Sequence, residues 1–272
     1  MQFNNAQVTI SGQTILAQSI NIEESNSISP AYAVGYRGAI SDSPSGPVSN
    51  RISFNYILEP TDINYKLLQN IRNYDFNSFP VALSVAGLNG AGYLSSYSLN
   101  IRENDVITAS VSYNIYEQLT GQLSEQPSNF YSNYNLSKGS GVAHSWTSYA
   151  KTNNGNSTGS ILSLNYNFQS EVRPVYKIGR PTPIEVKYLN STESFEITSE
   201  HESRITYSGQ TFTGKFNDIE IIEIGPISGL WNNVANGSKI FLYPNSGKIT
   251  SNSVDIGEND IIVNQATVIK YY

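Results

Sequence analysis

Cysteine is absent from this chain of 272 residues, which excludes disulfides, thiolate catalysis and cysteine-based zinc sites. Stability must therefore come from packing and from assembly. Charge is also scarce: Asp, Glu, Lys and Arg together make up 14%, with a net charge of −6 and an isoelectric point near 5.0. No basic run occurs, which argues against a nucleic-acid binder that neutralises phosphates with Lys and Arg. No apolar stretch approaches the ~18 residues of a membrane span, and the start MQFNNAQVTI lacks the basic and apolar regions of a signal peptide. The expectation is a soluble, non-secreted chain with no membrane partner. Four Asn-x-Ser/Thr sequons, at Asn135, Asn156, Asn190 and Asn236, then follow from a composition rich in Asn and Ser and imply no glycosylation.

Catalytic apparatus is equally thin. The histidines are His144, in a Gly/Ser segment, and His201, in the charged stretch SEHES, and neither is expected to be catalytic. The Gly-x-Ser-x-Gly elbow, phosphate loop, dinucleotide glycine fingerprint and His-Glu-x-x-His helix are missing. Glu103 with Asp105 and Glu258 with Asp260 are the remaining acid–base or calcium candidates, but the Glu-Asn-Asp spacing is that of a turn and lacks a calcium-loop pattern. Neither an enzyme nor a cofactor or metal site is expected.

What is present is repetition. Residues 96–107, SYSLNIRENDVI, return as residues 251–262, SNSVDIGENDII, with seven of twelve positions identical. Upstream, SINIEESNSISPAYAVG (19–35) aligns with SLNYNFQSEVRPVYKIG (163–179), sharing Ser19/Ser163, Asn21/Asn165, Pro30/Pro174, Tyr32/Tyr176 and Gly35/Gly179. The offset is 144 residues for the upstream echo and 155 for the other, so the second copy carries a net insertion of 11. An internal duplication is expected: a first domain over 1–118, a Gly/Ser/Asn/Tyr-rich linker over 119–159, and a second domain over 160–272.

Each copy reads as β structure. In RISFNYIL (51–58), Ile52, Phe54, Tyr56 and Leu58 alternate on one face, the period of a half-buried strand. The amphipathic helix is DINYKLLQNIRNY (62–74), capped by Thr61 or Asp62, with Ile63, Leu67 and Ile71 forming a stripe to lay on a sheet. Strands are expected at 6–12, 14–24, 79–86, 93–101 and 106–116, then at 160–169, 181–190, 194–203, 204–214, 218–226, 238–244 and 260–272. ISGLWNNVANG (227–237) is the candidate for a short helix in copy two. The Gly-, Ser- and Pro-rich segment 36–50 should be a long loop or extended arm.

The motif Pro-x-Tyr-x-x-Gly, present as Pro30-Tyr32-Gly35 and Pro174-Tyr176-Gly179 and followed by a variable loop and a strand, resembles the tail-tube family of tailed bacteriophages. The resemblance covers both copies and departs from a single-domain tube protein in having two. It implies β-sandwich or barrel domains with one flanking helix and a long arm. A duplicated chain of this kind would form trimeric, pseudo-hexameric rings that stack into a DNA conduit in the virion, made in the host cytoplasm. Implied partners are further copies of the chain, a tape-measure protein, and baseplate or sheath proteins. Tyr36, Arg37, Ile40, Pro44 and Pro47 in the arm, and Phe130, Tyr131, Tyr134 and Trp146 in the linker, are the expected contacts between subunits and rings. Glu196, Glu200 and Glu202 form a candidate acidic stripe facing a lumen, past which DNA slides without binding. A baseplate hub or distal tail protein, and a carbohydrate- or receptor-binding β module, remain as alternatives.

Overall fold

The computed structural model describes residues 8–15, 17–25, 28–35, 37–38, 41–44, 47–58, 62–102, 105–124, 148–152, 157–158, 161–200, 219–224, 240–242, 247–256 and 262–272. In chain order the elements are β1 (Val8–Ile10), β2 (Gln13–Ile15), β3 (Ala17–Ser25), β4 (Ile28–Ala31), β5 (Ser41–Pro44), β6 (Ser49–Ile57) and α1 (Ile63–Arg72). Next come β7 (Val81–Val85), β8 (Leu88–Arg102), β9 (Thr108–Ile115), β10 (Thr120–Gly121), β11 (Ser148–Thr152), β12 (Ser157–Thr158) and β13 (Ile161–Val175). The last are β14 (Glu185–Glu200), β15 (Ile219–Ile224), β16 (Ile240–Leu242), β17 (Lys248–Ile256) and β18 (Ile262–Tyr271). The fold is all-β with a single helix among the described residues, and the strands pair antiparallel throughout.

Eight strands form the backbone of one large sheet in the order β3-β6-β9-β8-β13-β14-β18-β17. The order within β3-β6-β9-β8 is repeated within β13-β14-β18-β17, and so is the register. Asn21 faces Ser53, Ser53 faces Ser112 and Ser112 faces Ser96. At the equivalent positions Asn165 faces Glu196, Glu196 faces Thr267 and Thr267 faces Ser251. Even the irregularities recur: register shifts lie between Ala17/Ser19 and Ile161/Ser163, and between Leu94/Ser96 and Ile249/Ser251. The first parts of the two echoes, in 96–107 and 251–262, lie in β8 and β17, and each of these strands pairs antiparallel with the described strand that comes next in the chain, β9 or β18.

One face of this sheet is apolar. Ile52, Phe54, Tyr56, Leu94, Tyr97, Leu99, Val111 and Tyr113 from the first half are buried together with Leu164, Tyr166, Phe168, Phe195, Ile197 and Val268 from the second. Helix α1 packs on this face beside β8 and buries Tyr65, Leu67, Leu68 and Ile71, so the expected stripe is filled mainly from its Leu67/Ile71 side. The separate sheet β12-β11-β15-β16 sends Ile240 and Leu242 into the same core.

One expectation needs correction. Residues 181–190 and 194–203 do not make two strands; Glu185–Glu200 is one long strand, because its pairing with β13 absorbs a register shift between Ser170 and Val172. Within the expected linker, Ser148–Thr152 forms β11 and pairs with β15, where Tyr149 lies opposite Glu223, and Thr120–Gly121 pairs with β8. Within the 36–50 arm, β5 doubles back on β4 in a two-stranded ribbon. The candidate helix 227–237 and the strand expected at 204–214 lie outside the described residues.

Candidate functional site: the seam and the free edges of the sheet

The two halves of the large sheet meet where β8 hydrogen-bonds to β13. Seven residue pairs form this seam, from Ser163 opposite Arg102 to Gln169 opposite Ser96, with Asn165 opposite Asn100 and Asn167 opposite Ser98. On the apolar side the seam is closed by aromatic rings: Tyr65 to Tyr97 at 6.4 Å, Tyr97 to Tyr166 at 6.3 Å and Tyr166 to Phe195 at 5.1 Å between centroids.

An ion pair locks it. Arg72, in the last turn of α1, reaches across the seam and donates from Nε to the Glu193 carboxylate of β14, with Nη2 donating to the Tyr166 hydroxyl at 3.2 Å. Glu193 is fully buried and also accepts from the Tyr166 hydroxyl at 2.8 Å and the Tyr272 hydroxyl at 2.9 Å. Burial alone would lower the Arg72 pKa, but Tyr166 and Glu193 beside it raise the value overall, so the guanidinium keeps its charge. The signal in sequence was faint: Glu193 occupies the same strand parity as Phe195 and Ile197, a charge where the alternation calls for an apolar residue.

A second polar cluster anchors the start of α1. Asp62 caps the helix, accepting from the Asn64 amide at 3.0 Å, while its other oxygen accepts from the hydroxyls of Tyr56 at 2.8 Å and Tyr97 at 2.7 Å. Asn64 completes the network, donating to the Tyr56 hydroxyl at 2.9 Å and accepting from that of Tyr113. Burial raises the pKa of Asp62, against the hydrogen bonds from Tyr97, Tyr56 and Asn64 that lower it. Both helix ends are thus pinned by buried polar contacts, the first within one half of the sheet and the second across the seam.

The opposite face of the sheet is open and polar. A row across it reads Ser19, Asn55, Ser110, Ser98, Asn167, Ser194, hydroxyls and amides without a charge. Between β3 and the matching part of β14 the charged side chains on this face are Glu23, Arg51, Arg102 and Glu196, two of each sign. Two depressions indent it, one bounded by Arg102, Asn165, Glu196 and Thr267, the other by Asn55, Asn100, Ser110 and Asn167. Among the described residues no group of three His, Asp or Glu side chains could hold a metal ion.

The eight-strand run ends in two edges, while a branch from β8 through β7 and β1 ends at β2. β3 pairs with β6 alone and β17 pairs with β18 alone among the described strands. Ile20 and Ile22 on β3 are only half-buried, whereas Leu164 and Tyr166, their equivalents on β13, are fully covered at the seam.

The motif residues fall at the tips. Pro30 lies in β4 opposite Asp42, Tyr32 is exposed, and Gly35 has φ +91°. Pro174 lies in β13 opposite Val186, Tyr176 is half-buried with its phenol pKa raised by burial and by Tyr116, and Gly179 has φ +84°. Between them Val34 and Ile178 occupy the same place in the two motifs and are both fully exposed. Arg37 and Pro47 are exposed, and Pro44 lies in β5 opposite Ile28. Of the candidate acidic stripe, Glu196 is exposed on the open face and accepts from Asn165 at 3.3 Å, and Glu200 lies at the end of β14 opposite Val263. Tyr36, Ile40, Phe130, Tyr131, Tyr134, Trp146, Glu202, Glu103, Glu258, Asp260 and both histidines lie outside the described residues. Asp105 turns its carboxylate onto the Val106 amide at 2.7 Å, the local contact of a turn.

No protein-family model and no curated protein matches the chain. Among solved structures, a chain from the "Virion of native gene transfer agent (GTA) particle" is similar over 45% of this chain and 98% of its own, at 12% identity and a TM-score of 0.36. The SPP1 Dit protein, described as "a Paradigm of Hub Adsorption Apparatus in Gram-positive Infecting Phages", aligns over 98% of this chain and 99% of its own, at 11% identity and a TM-score of 0.25. Both of these neighbours are components of virion or phage assemblies.

Proposed function

We propose that the chain is a structural protein of a phage-type tail, a ring-forming tube subunit in which residues 1–118 and 160–272 are two copies of one domain. The observation that carries this reading is the β8–β13 seam. Two four-stranded units of the same order and register are joined edge to edge within one chain, and the free edges left at the ends are β3 and β17, the equivalents of the two strands already joined. A sheet that adds units by edge pairing either grows without limit or closes, and closure removes the aggregation-prone edges. Three chains closing in this way would give a ring of pseudo-sixfold symmetry.

The open face suits the wall of a conduit. Its hydroxyls and amides offer water-like hydrogen bonds, and its few arginines are matched by carboxylates, so phosphates passing by find little to hold them. Of the acidic stripe suggested by the sequence, Glu196 is exposed on this face, and a wall of that sign would likewise give phosphate nothing to bind. No chemical step is needed for that role. A hub that joins the tail to its adsorption apparatus would use the same ring and differ in stopping at one layer.

Electron microscopy of the purified protein, with its mass in solution, tests the proposal. Three-chain rings of sixfold appearance that stack into tubes support the tube subunit; rings that never stack support the hub. A monomer at every concentration would overturn both and redirect attention to glycan binding.

A further inference from the structure

We propose that β17 of one chain pairs antiparallel with β3 of the next in a single defined register: Asp255 opposite Asn21, Ser253 opposite Glu23 and Ser251 opposite Ser25. The inference rests on the ring reading and names its closing contact. It follows from the internal seam. Residues of β8 map to β17 by an offset of 155 and residues of β13 map to β3 by an offset of 144, as the shared register shifts show. Applied to the seam pair Ser98 opposite Asn167, these offsets give Ser253 opposite Glu23; applied to Asn100 opposite Asn165, they give Asp255 opposite Asn21.

The apolar side of the sheet agrees. The internal seam places Ile101 opposite Leu164 and Leu99 opposite Tyr166, all buried. The same offsets place Ile256 opposite Ile20 and Val254 opposite Ile22. Ile20 and Ile22 are the half-buried residues of the β3 edge, so docking β17 would cover them as β8 covers Leu164 and Tyr166. A slip by one residue would turn them to the polar face, which is why the register is specified.

The two seams differ in one respect. Glu193 lies opposite Lys270 on β18, and the matching pair in the first half is Asn50 opposite Ile115, so the position that carries the buried carboxylate at the internal seam carries an amide next to the closing one. The closing contact is therefore without the equivalent of the Arg72–Glu193 pair and depends on the backbone ladder and the apolar pairs.

The absence of cysteine makes the test direct. Glu23→Cys with Ser253→Cys places thiols on directly opposed positions, whose Cα separation of ~5 Å suits a disulfide. Ser98→Cys with Asn167→Cys, the same geometry within one chain, is the positive control, and Asn21→Cys with Ser253→Cys is the control displaced by two residues. On mild oxidation of assembled protein, the first pair should give a ladder of covalent dimers and trimers at least fivefold stronger than the displaced pair. The internal control should lose its free thiols without change of mass. In the unsubstituted protein, amides of β3 should exchange at least tenfold more slowly in rings than in dilute monomer. Rings that form while the ladder is absent, or is equal for the displaced pair, overturn this register and leave the ring reading intact. A protein that stays monomeric, with its internal control closed, overturns both.

Discussion

Arg72 and Glu193 stand 121 residues apart in sequence and share a buried hydrogen bond across the β8–β13 seam, so the end of the only described helix is tied to the other half of the sheet. Removing one partner strands the other charge out of water. Arg72→Ala should therefore destabilise the chain by about 4 kcal/mol in urea unfolding, with Glu193→Ala similar. The double substitution should cost less than the sum of the two by roughly 2 kcal/mol, because it leaves no unpaired charge. Additive losses would mean that the pair is not coupled.

Asp62→Ala should cost about 3 kcal/mol, since it removes a helix cap and leaves the Tyr56 and Tyr97 hydroxyls buried without their acceptor. Unfolding midpoints would show it.

The same carboxyl gives a pH dependence with a defined sign. Its folded pKa is raised from 3.8 by burial, so the folded chain holds this proton more tightly than the unfolded chain does. The associated stability is complete below pH 3.8 and is lost as pH rises through the raised value. Asp62→Asn removes that loss, so its stability relative to the parent should improve steadily from pH 4 upward and then level off. A relative stability that falls with pH would contradict the assignment.

Gly35 and Gly179 hold the motif tips at φ +91° and +84° with open space where a Cβ would go. Their requirement is conformational and not steric. Alanine at either should cost about 1 kcal/mol, and the two costs should agree. Thermal unfolding of the two single variants checks this.

On the open face, Ser98→Lys with Ser110→Lys would add adjacent cations to the neutral row. Assembled protein carrying both should retain double-stranded DNA in a filter assay at low salt, with binding lost as salt rises, whereas the parent should not. Equal retention by the two would count against the open face lining the proposed conduit.

Local pattern revealed much of this fold. Alternation in 51–58 placed Ile52, Phe54, Tyr56 and Leu58 in the core, and the Asp62 cap with its Leu67/Ile71 stripe marked the helix to within two residues of its ends. The paired echoes fall on matching strands, β8 with β17 and β3 with β13, because strand alternation is a short-range signal. The seam was not legible. Nothing local in SYSLNIR or SLNYNFQ says that these segments lie side by side, since edge pairing between distant strands is decided by which apolar face each must share. Ser148–Thr152 escaped for the same reason: SYAKT has no period of its own and is a strand by virtue of β15. The Arg72–Glu193 contact joins a helix end to a distant strand, and only the odd parity of Glu193 hinted at it.

The recurring register shifts set the scale of whatever this sheet builds. A bulge adds bend and twist to the strand that carries it, and here the two sets share one pair of register shifts, at Ala17/Ser19 with Leu94/Ser96 and at Ile161/Ser163 with Ile249/Ser251, to which the second set adds one at Ser170/Val172. The shared pair bends both sets at equivalent places. Were the units to close into the proposed ring, that bend would set its diameter, and lengthening surface loops would leave the diameter unchanged.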